Sequence, residues 1–211
     1  MREERVKFPS GELTLEGIVG VPEGDGPFPA VIVCHPHPLY GGDMYNNVVS
    51  TVCAALVQAS LVAFRFNFRG VGGSGGSYGD GVGEQEDVRS AIAYVAELGY
   101  VDKERIGLAG YSAGAGFGMP VACNDEGVKA ICAISPPLSM FDFACLSDCT
   151  KPKLLLCGGR DDFTPANRFL EFCEGLPEPK EYGTVDNADH FWWGHESALA
   201  DRVAAFFTGA L

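Results

Sequence analysis

The stretch Arg105-Ile-Gly-Leu-Ala-Gly-Tyr-Ser-Ala-Gly114 joins an apolar run to a serine flanked by glycines. The first five residues predict a buried strand, and the residues after Ser112 are compatible with a helix. A serine at such a turn lies on a tight elbow beside the first amides of the helix, and the flanking glycines satisfy the steric demand of the elbow. The chain contains three G-x-S-x-G matches, however, centred on Ser74, Ser77 and Ser112, and its 28 glycines make chance matches common.

The context of each serine separates the three matches. Ser74 and Ser77 lie in Gly70-Val-Gly-Gly-Ser-Gly-Gly-Ser-Tyr-Gly79, which contains too many glycines to hold a helix. We interpret this segment as a flexible loop, and it lacks the lysine of a phosphate-binding P-loop. Ser112 alone has a strand before it and helix-forming residues after it, so it is the candidate nucleophile.

Working outward from Ser112, apolar runs alternate with helical patterns along the whole chain, which is typical of an α/β fold. The sequence predicts a mostly parallel central sheet of about eight strands, with helices on both faces and an antiparallel start. We find no repeat and no linker, so residues 1–211 form a single predicted domain. The helix after Ser112 contains Gly114, Gly116, Gly118 and Pro120, which predicts a kinked or loosely held helix.

A serine hydroxyl needs a base, and the base needs an orienting carboxylate. After the predicted strand 153–157 comes Gly158-Gly-Arg-Asp-Asp-Phe-Thr-Pro165, and after the predicted strand 180–185 comes Asp186-Asn-Ala-Asp-His190. Acid and histidine therefore follow the serine in the order Ser, Asp, His, each at the end of a later strand. This constellation is far more specific than the pentapeptide. It makes His190 the candidate base and leaves Asp161 and Asp162 as candidate acids.

The chain resembles small, single-domain members of the α/β-hydrolase superfamily. It is similar to bacterial serine hydrolases with a His-Pro-His-Pro-x-x-Gly-Gly segment, near dienelactone-hydrolase-like and Xaa-Pro-peptidase-like proteins. Besides the segments around Ser112, Asp161 and His190, the matching pieces are His35-Pro-His-Pro-Leu-Tyr-Gly-Gly42 and Arg65-Phe-Asn-Phe-Arg-Gly70. The family pattern Gly-x-x-Asp-x-x-x-Pro implies Asp161 as the acid, which leaves Asp162 as a solvated turn residue. Dienelactone hydrolases use cysteine as nucleophile, whereas the serine here implies esterase-type chemistry.

The resemblance also implies an oxyanion hole made of two backbone amides. The first donor is Ala113, directly after the nucleophile. The second is expected from the loop 35–42, where prolines cannot donate; we favour Leu39, with His37 and Tyr40 as alternatives. We expect His35 and His37 to hold that loop through ring hydrogen bonds, and His195 to be a surface or packing residue.

The likeness further implies an open substrate site. Many relatives insert a cap before the strand that leads to the acid, but here only residues 136–152 fill that gap. Short acyl or small aryl esters therefore fit better than long lipids. The aromatic and apolar side chains expected around the site are Leu39, Tyr40, Phe141, Phe143, Phe163, Phe191 and Trp192.

The composition excludes other classes of function. With 28 acidic against 15 basic residues the formal net charge is -13, so we expect neither a nucleic acid nor a membrane as partner. No signal peptide or spanning segment is visible, and most of the eight cysteines lie in apolar runs as reduced thiols. A cytoplasmic location and no metal site are expected from this pattern.

The sequence therefore predicts a carboxylesterase that needs no cofactor and acts on a small-molecule ester. The same three residues could also cleave thioesters, lactones or small peptides, because the fold does not decide the substrate. A non-catalytic binding module is a further alternative, which the intact Ser112, Asp161 and His190 argue against. A dehalogenase is excluded because its chemistry requires a carboxylate at position 112. The sequence makes no prediction of oligomeric state.

Overall fold

A computed structural model describes residues 2–211 and shows one eight-stranded sheet with the strand order β1-β2-β4-β3-β5-β6-β7-β8. The strands are β1 Arg2–Ser10, β2 Leu13–Val21, β3 Phe28–Cys34, β4 Val62–Phe66, β5 Val101–Tyr111, β6 Val128–Ile134, β7 Lys153–Gly158 and β8 Lys180–Val185. The helices are α1 Asn47–Gln58, α2 Val82–Ala96, α3 Ala113–Asn124, α4 Ala166–Glu174 and α5 Glu196–Ala210. The predicted α/β fold with about eight strands is confirmed.

The sheet is antiparallel only at its beginning. β1 pairs with β2 and β2 with β4 in antiparallel register, whereas all pairs from β4 through β8 are parallel. β3 lies between β4 on one side and β5 on the other, so the chain changes direction across the sheet at this point. Ligand sites of open α/β sheets lie at the carboxyl ends of the strands next to such a switch.

Two hydrophobic cores lie on opposite faces of the sheet. The first is formed with apolar side chains of α2, α3 and α4, and the second with those of α1 and α5. Val49, Val52, Leu56 and Val57 of α1, which share one helical face in the sequence, all belong to the second core. Helices therefore cover both faces, as predicted, and hold the carboxyl edge of the sheet in place.

The helix after Ser112 differs from the expectation of a kinked or loosely held element. It runs without interruption from Ala113 to Asn124, although Pro120 removes one internal donor. Its glycines are sites of close approach: a Cβ on Gly114 would lie 2.4 Å from the Cys34 carbonyl oxygen, and one on Gly118 would lie 2.8 Å from Leu108. Packing of α3 against the sheet therefore outweighs its weak helix propensity.

The glycine-rich segment 70–79 was expected to be a flexible loop, but the structure holds the part around Ser74 in place. Ser74 is buried; its hydroxyl donates to the Asn67 carbonyl at 2.7 Å and accepts the Glu16 N–H at 3.0 Å. The Glu16 carboxylate in turn accepts the N–H of Gly73 at 2.7 Å. These hydrogen bonds attach the loop to β2.

In the part of the chain that the structure describes, residues 2–211, no helix combines the length and apolarity needed to cross a membrane.

Candidate active site

The elbow at Ser112 is a strained turn made possible by its two glycines. Ser112 has φ +54° and ψ -122°, an unfavourable conformation for a residue with a side chain. A Cβ on Gly110 would lie 2.5 Å from the carbonyl oxygen of Gly114, and one on Gly114 would lie 2.5 Å from the carbonyl oxygen of His35. The G-x-S-x-G spacing therefore reflects two places where β5, α3 and the loop after β3 touch through their backbones.

Ser112 and His190 are in hydrogen-bond contact although they lie on different loops. The Ser112 Oγ is 3.0 Å from His190 Nε2, and His190 Nδ1 lies 3.0 and 2.9 Å from the two carboxylate oxygens of Asp161. If Nδ1 carries the proton and donates to Asp161, Nε2 is free to accept the serine proton. The structure thus brings together the three residues that the sequence singled out.

The carboxylate in contact with His190 is that of Asp161. It is buried, and its Oδ1 also accepts the backbone N–H groups of Phe163 and Thr164 at 2.9 Å. Burial alone would raise the pKa of Asp161, but the hydrogen bond and charge of His190 together with the other donors hold that pKa below its ordinary value. Asp162 is exposed and lines a separate cavity of about 690 Å³.

Backbone contacts fix the acid loop against the histidine loop. Arg160 N–H donates to the Ala188 carbonyl at 2.8 Å, and Gly159 N–H donates to the Val185 carbonyl at 2.8 Å. A Cβ on Gly158 would lie 2.5 Å from the Ala188 carbonyl oxygen, which explains the glycine at the start of the Gly-x-x-Asp pattern. The short distance between Asp161 and His190 follows from this close packing of β7 and β8.

Four side chains around this constellation hold it in place, and three of them, Tyr111, Ser135 and Thr164, were not singled out from the sequence. The Tyr111 hydroxyl donates to the His190 carbonyl at 2.8 Å, and Trp192 Nε1 donates to the Ser135 hydroxyl at 3.1 Å. The Thr164 hydroxyl donates to the Pro136 carbonyl at 2.7 Å. Ser135 and Tyr111 stand at strand ends, and this position was the signal that could have found them.

The loop after β3 is held by both of its histidines. His35 is fully buried, and its Nε2 accepts the N–H of Phe68 at 3.1 Å while Nδ1 lies 2.6 Å from the Pro36 carbonyl oxygen. His37 Nδ1 accepts the N–H of Leu39 at 3.2 Å, at the start of the 3-10 turn Pro38–Tyr40. Both rings form hydrogen bonds with the backbone of this loop or of Phe68, as expected from the sequence.

This geometry argues against Leu39 as the second oxyanion donor. The Leu39 N–H already donates to His37, and its side chain is 67% exposed. The Tyr40 N–H is also used, since it donates to the His37 carbonyl at 3.1 Å. Within residues 2–211, the backbone N–H groups of His37 and Ala113 have no acceptor, and both residues line the cavity that contains Ser112. Of the three alternatives, His37 is the one whose amide is available.

The cavity at Ser112 has a volume of about 480 Å³ and is bounded by aromatic side chains. The expected pocket residues Tyr40, Phe141, Phe163 and Phe191 all line it. The centroid of the Phe163 ring lies 4.5 Å from that of the His190 ring, so the two rings are in contact.

Two of the aromatic side chains expected at the site do not reach it. Trp192 is 0% exposed and packs in the core formed with α1 and α5. Its indole N–H donates to the Ser135 hydroxyl, which holds the ring in that core. Phe143 is buried in the opposite core beside Phe172. His195, as expected, stands outside the site; it is partly buried and precedes α5.

Across the described residues 2–211, no group of three or more histidine, cysteine, aspartate or glutamate side chains is arranged to hold a metal ion. All eight cysteines are present as unpaired thiols.

Comparison with known proteins assigns the family. The sequence matches the Dienelactone hydrolase family over residues 80–182. A solved "alpha-beta serine hydrolase homologue" from Coxiella burnetii is 34% identical, covers 97% of each chain and superposes with a TM-score of 0.88. A structure from Xanthomonas campestris, described as a serine hydrolase without lid, is 29% identical over 98% of this chain and 94% of that one, with a TM-score of 0.84.

Two relatives carry names that describe no function. A protein of Rickettsia prowazekii is 33% identical over 172 residues, which are 78% of this chain and 72% of the relative. A 31.7 kDa protein of Escherichia coli is longer: the 114 aligned residues, 35% identical, are 53% of this chain and 38% of that protein.

The fold and these matches define an α/β hydrolase without a cap. The chain belongs to this superfamily as a small, dienelactone-hydrolase-like protein, and it is an enzyme of the hydrolase type.

Proposed function

We propose that this protein is a serine hydrolase, and specifically a carboxylesterase, which cleaves small uncharged esters through an acyl-enzyme on Ser112. The observation that carries the proposal is the position of His190, with Nε2 3.0 Å from Ser112 Oγ and Nδ1 2.9 Å from Asp161. A nucleophile, a base and an orienting acid within hydrogen-bond reach form the arrangement that acyl transfer requires.

Acylation begins when His190 Nε2 takes the proton of Ser112 and the oxygen attacks the ester carbonyl carbon. Asp161 keeps the ring oriented and stabilises the imidazolium that forms. Collapse of the tetrahedral intermediate breaks the bond to the alcohol oxygen, which leaves with the proton held by His190. A water molecule then gives its proton to His190, attacks the acyl-enzyme and releases the carboxylic acid with Ser112 restored.

The negative charge on the tetrahedral oxygen requires donors that are already in position. The amide of Ala113 begins α3, where the helix dipole also favours a negative charge. His37 lines the same cavity, and its amide has no competing acceptor among residues 2–211. We therefore assign these two N–H groups to the oxyanion hole.

The cavity favours an uncharged substrate. Among the described residues that line it there is no lysine, arginine, aspartate or glutamate. A charged group would lose its hydration there without gaining a partner. Its volume of about 480 Å³ suits an ester with a small acyl group and a small alcohol or aryl group.

The first experiment measures hydrolysis of p-nitrophenyl acetate by wild type, by Ser112→Ala and by one matched pair of aspartate variants. Ser112→Ala is expected to lower kcat by at least about a thousandfold. Asp161→Asn is expected to lower kcat by about a thousandfold or more, whereas its sequence neighbour Asp162→Asn keeps near wild-type activity. Full turnover in Ser112→Ala, or a larger loss in Asp162→Asn than in Asp161→Asn, contradicts the assignment.

Two further measurements separate the ester hydrolase from its alternatives. A fluorophosphonate probe is expected to label wild type and not Ser112→Ala; an unlabelled wild type indicates a binding module. A panel of acetyl esters, thioesters and anilides then ranks the leaving groups, with oxygen esters expected to have the highest kcat/KM. Activity that keeps rising beyond about ten acyl carbons contradicts the small-ester specificity that the cavity size implies.

A further inference from the structure

A second cavity, of about 590 Å³, adjoins the catalytic cavity. His37, Met140 and Phe141 line both cavities, so the two are separated only by a shared wall. The second cavity is not lined by Ser112 or His190, so it lies outside the proposed reacting groups. It is placed to receive a remote part of a substrate whose carbonyl group is at Ser112.

The orientation of the ester at Ser112 decides which part of the substrate reaches the second cavity. The leaving oxygen must lie at His190 Nε2 to receive its proton, so the alcohol portion occupies the side of the catalytic cavity lined by His190, Phe163 and Phe191. The carbonyl oxygen points to the amides of His37 and Ala113. The remaining substituent of the carbonyl carbon, the acyl chain, is then directed away from His190 and over the shared wall.

Four of the side chains that line the second cavity are aromatic, and their rings are in contact with one another. The His37 ring lies 5.1 Å from the Tyr78 ring and 6.2 Å from the Phe117 ring, and Phe117 lies 5.3 Å from Phe141 in an edge-to-face arrangement. A Cβ at Gly116 would lie 2.4 Å from the Phe141 ring, so this glycine lets the ring rest directly on α3. Such a set of faces and edges is complementary to a further aromatic ring.

The charges around the second cavity exclude an anionic group. Asp80 and Asp142 line it, and no lysine or arginine does so among the described residues. The guanidinium of Arg69, which lies behind Gly83 at the start of α2, is paired with Asp87 at 2.8 Å. Burial raises the pKa of Tyr78, and the negative charges of Glu84 and Asp80 raise it further.

We propose that this second cavity is an acyl subsite that takes an uncharged aromatic ring joined to the ester carbonyl by a short spacer, as in an arylalkanoyl ester. The inference rests on the proposed function, because it assumes that an ester is cleaved at Ser112. It adds to that function a substrate class: the preferred acyl group is longer than acetyl, ends in a neutral ring, and carries no carboxylate.

The test compares three esters with one leaving group: p-nitrophenyl acetate, p-nitrophenyl 3-phenylpropanoate and p-nitrophenyl 3-(4-carboxyphenyl)propanoate. Each kcat/KM is divided by the rate of hydroxide-catalysed hydrolysis of the same ester. The phenylpropanoate is expected to exceed the acetate by about tenfold, since an aromatic ring then enters an aromatic cavity. The carboxyphenyl ester is expected to fall below the phenylpropanoate by at least about tenfold.

Two variants locate the effect in the second cavity. Tyr78→Ala removes one wall and is expected to lower the ratio of phenylpropanoate to acetate by about fivefold. Gln85→Trp places a ring in the cavity from α2 and is expected to lower the same ratio, so it decides the question if Tyr78→Ala does not fold. Tyr182 on β8 has a similar partial burial and lines neither cavity, so Tyr182→Ala is expected to keep the wild-type ratio.

The outcomes distinguish the two proposals. If wild type hydrolyses p-nitrophenyl acetate no faster than Ser112→Ala does, the proposed function fails. If acetate is hydrolysed through Ser112 but the phenylpropanoate gives no advantage, the subsite is overturned while the function stands. An advantage that survives both Tyr78→Ala and Gln85→Trp also overturns the subsite, because the ring would then bind elsewhere.

Discussion

The hydroxyl of Tyr111 donates a 2.8 Å hydrogen bond to the backbone carbonyl of His190. Tyr111 directly precedes Ser112, so this bond connects the elbow of Ser112 to the loop that carries His190. Burial raises the pKa of Tyr111, and the charges of Asp161 and Asp189 raise it further, which keeps the hydroxyl protonated and able to donate. The distance between Ser112 and His190 therefore depends on a residue that takes no part in the chemistry.

Tyr111→Phe tests the role of this hydrogen bond. The His190 carbonyl loses its buried partner, so the free energy of unfolding is expected to fall by about 1–2 kcal/mol in urea titrations. A slightly displaced His190 is expected to lower kcat by about three- to tenfold with little change in KM. Tyr94→Phe is the control, because the Tyr94 hydroxyl has no hydrogen bond to another residue in the described range 2–211. Equal effects of the two substitutions contradict the role of the bond.

Substitution by alanine is expected to have different effects on stability at Gly114, in the elbow, and at Gly99. A methyl group at Gly114 would lie 2.4 Å from the carbonyl oxygen of Cys34, so Gly114→Ala forces α3 away from β3 and is expected to cost about 3 kcal/mol of stability. It also displaces the amide of Ala113 and is expected to lower kcat strongly. At Gly99 a Cβ meets nothing within 4 Å, so Gly99→Ala is expected to be neutral or slightly stabilising. Thermal unfolding of both variants gives the comparison.

Much of the fold and the main site residues are predictable because strands and their ends are local features. Apolar runs identify β3 through β8, and parallel strands bring their carboxyl ends to one edge, so Ser112, Asp161 and His190 could be expected there from chain order. The strained elbow is predictable as well, since only glycine fits at positions 110 and 114.

The oxyanion donor and the position of Trp192 could not be predicted, because both depend on hydrogen bonds formed only in the folded protein. The sequence favours Leu39 as oxyanion donor, but its N–H donates to His37 Nδ1, and no local pattern reveals that bond. Trp192 follows the base by two residues and resembles a pocket residue, yet its indole N–H is drawn into the core by Ser135 at 3.1 Å. Whether an aromatic side chain lines a cavity or a core is decided by such tertiary contacts.

The pair of Ser135 and Trp192 yields a prediction of non-additivity. Ser135 is fully buried, has φ +44°, and receives the indole N–H, so Ser135→Ala leaves that donor without an acceptor and is expected to cost about 1–3 kcal/mol. In Trp192→Phe the donor is absent, and adding Ser135→Ala is then expected to cost less. A double-mutant cycle by urea unfolding measures the coupling, expected at about 1 kcal/mol. Strictly additive losses would show that the bond contributes nothing.

His35 makes the stability of the protein depend on pH. Its Nε2 accepts the N–H of Phe68 and its Nδ1–H donates to the Pro36 carbonyl, so both nitrogens are used in the neutral ring. Burial lowers the pKa of His35 to about 4, although the carboxylate of Asp43 opposes the shift. The unfolded chain, in which histidine has a pKa of about 6.5, binds a proton at higher pH than the folded protein does.

The direction of the pH dependence follows from this difference in the pKa of His35. Between pH 6.5 and pH 4 the unfolded state holds more protons, so the free energy of unfolding falls as the pH falls and levels off below the folded pKa. His35 contributes about 3 kcal/mol to the free energy of unfolding at pH 7, because its pKa is about 4 in the folded protein and about 6.5 in the unfolded chain. His35→Gln keeps an acceptor for Phe68 but has no titrating ring, so it is expected to be less stable at pH 7 and to lose less on acidification.

Urea titrations at pH 7, 6 and 5 measure the effect as a difference between wild type and His35→Gln, which cancels the carboxylates that both share. The difference in unfolding free energy is expected to shrink by about 1–2 kcal/mol from pH 7 to pH 5. A constant difference across this range would mean that the folded protein takes up the proton at His35 as readily as the unfolded chain, and that the ring is not locked in its neutral form.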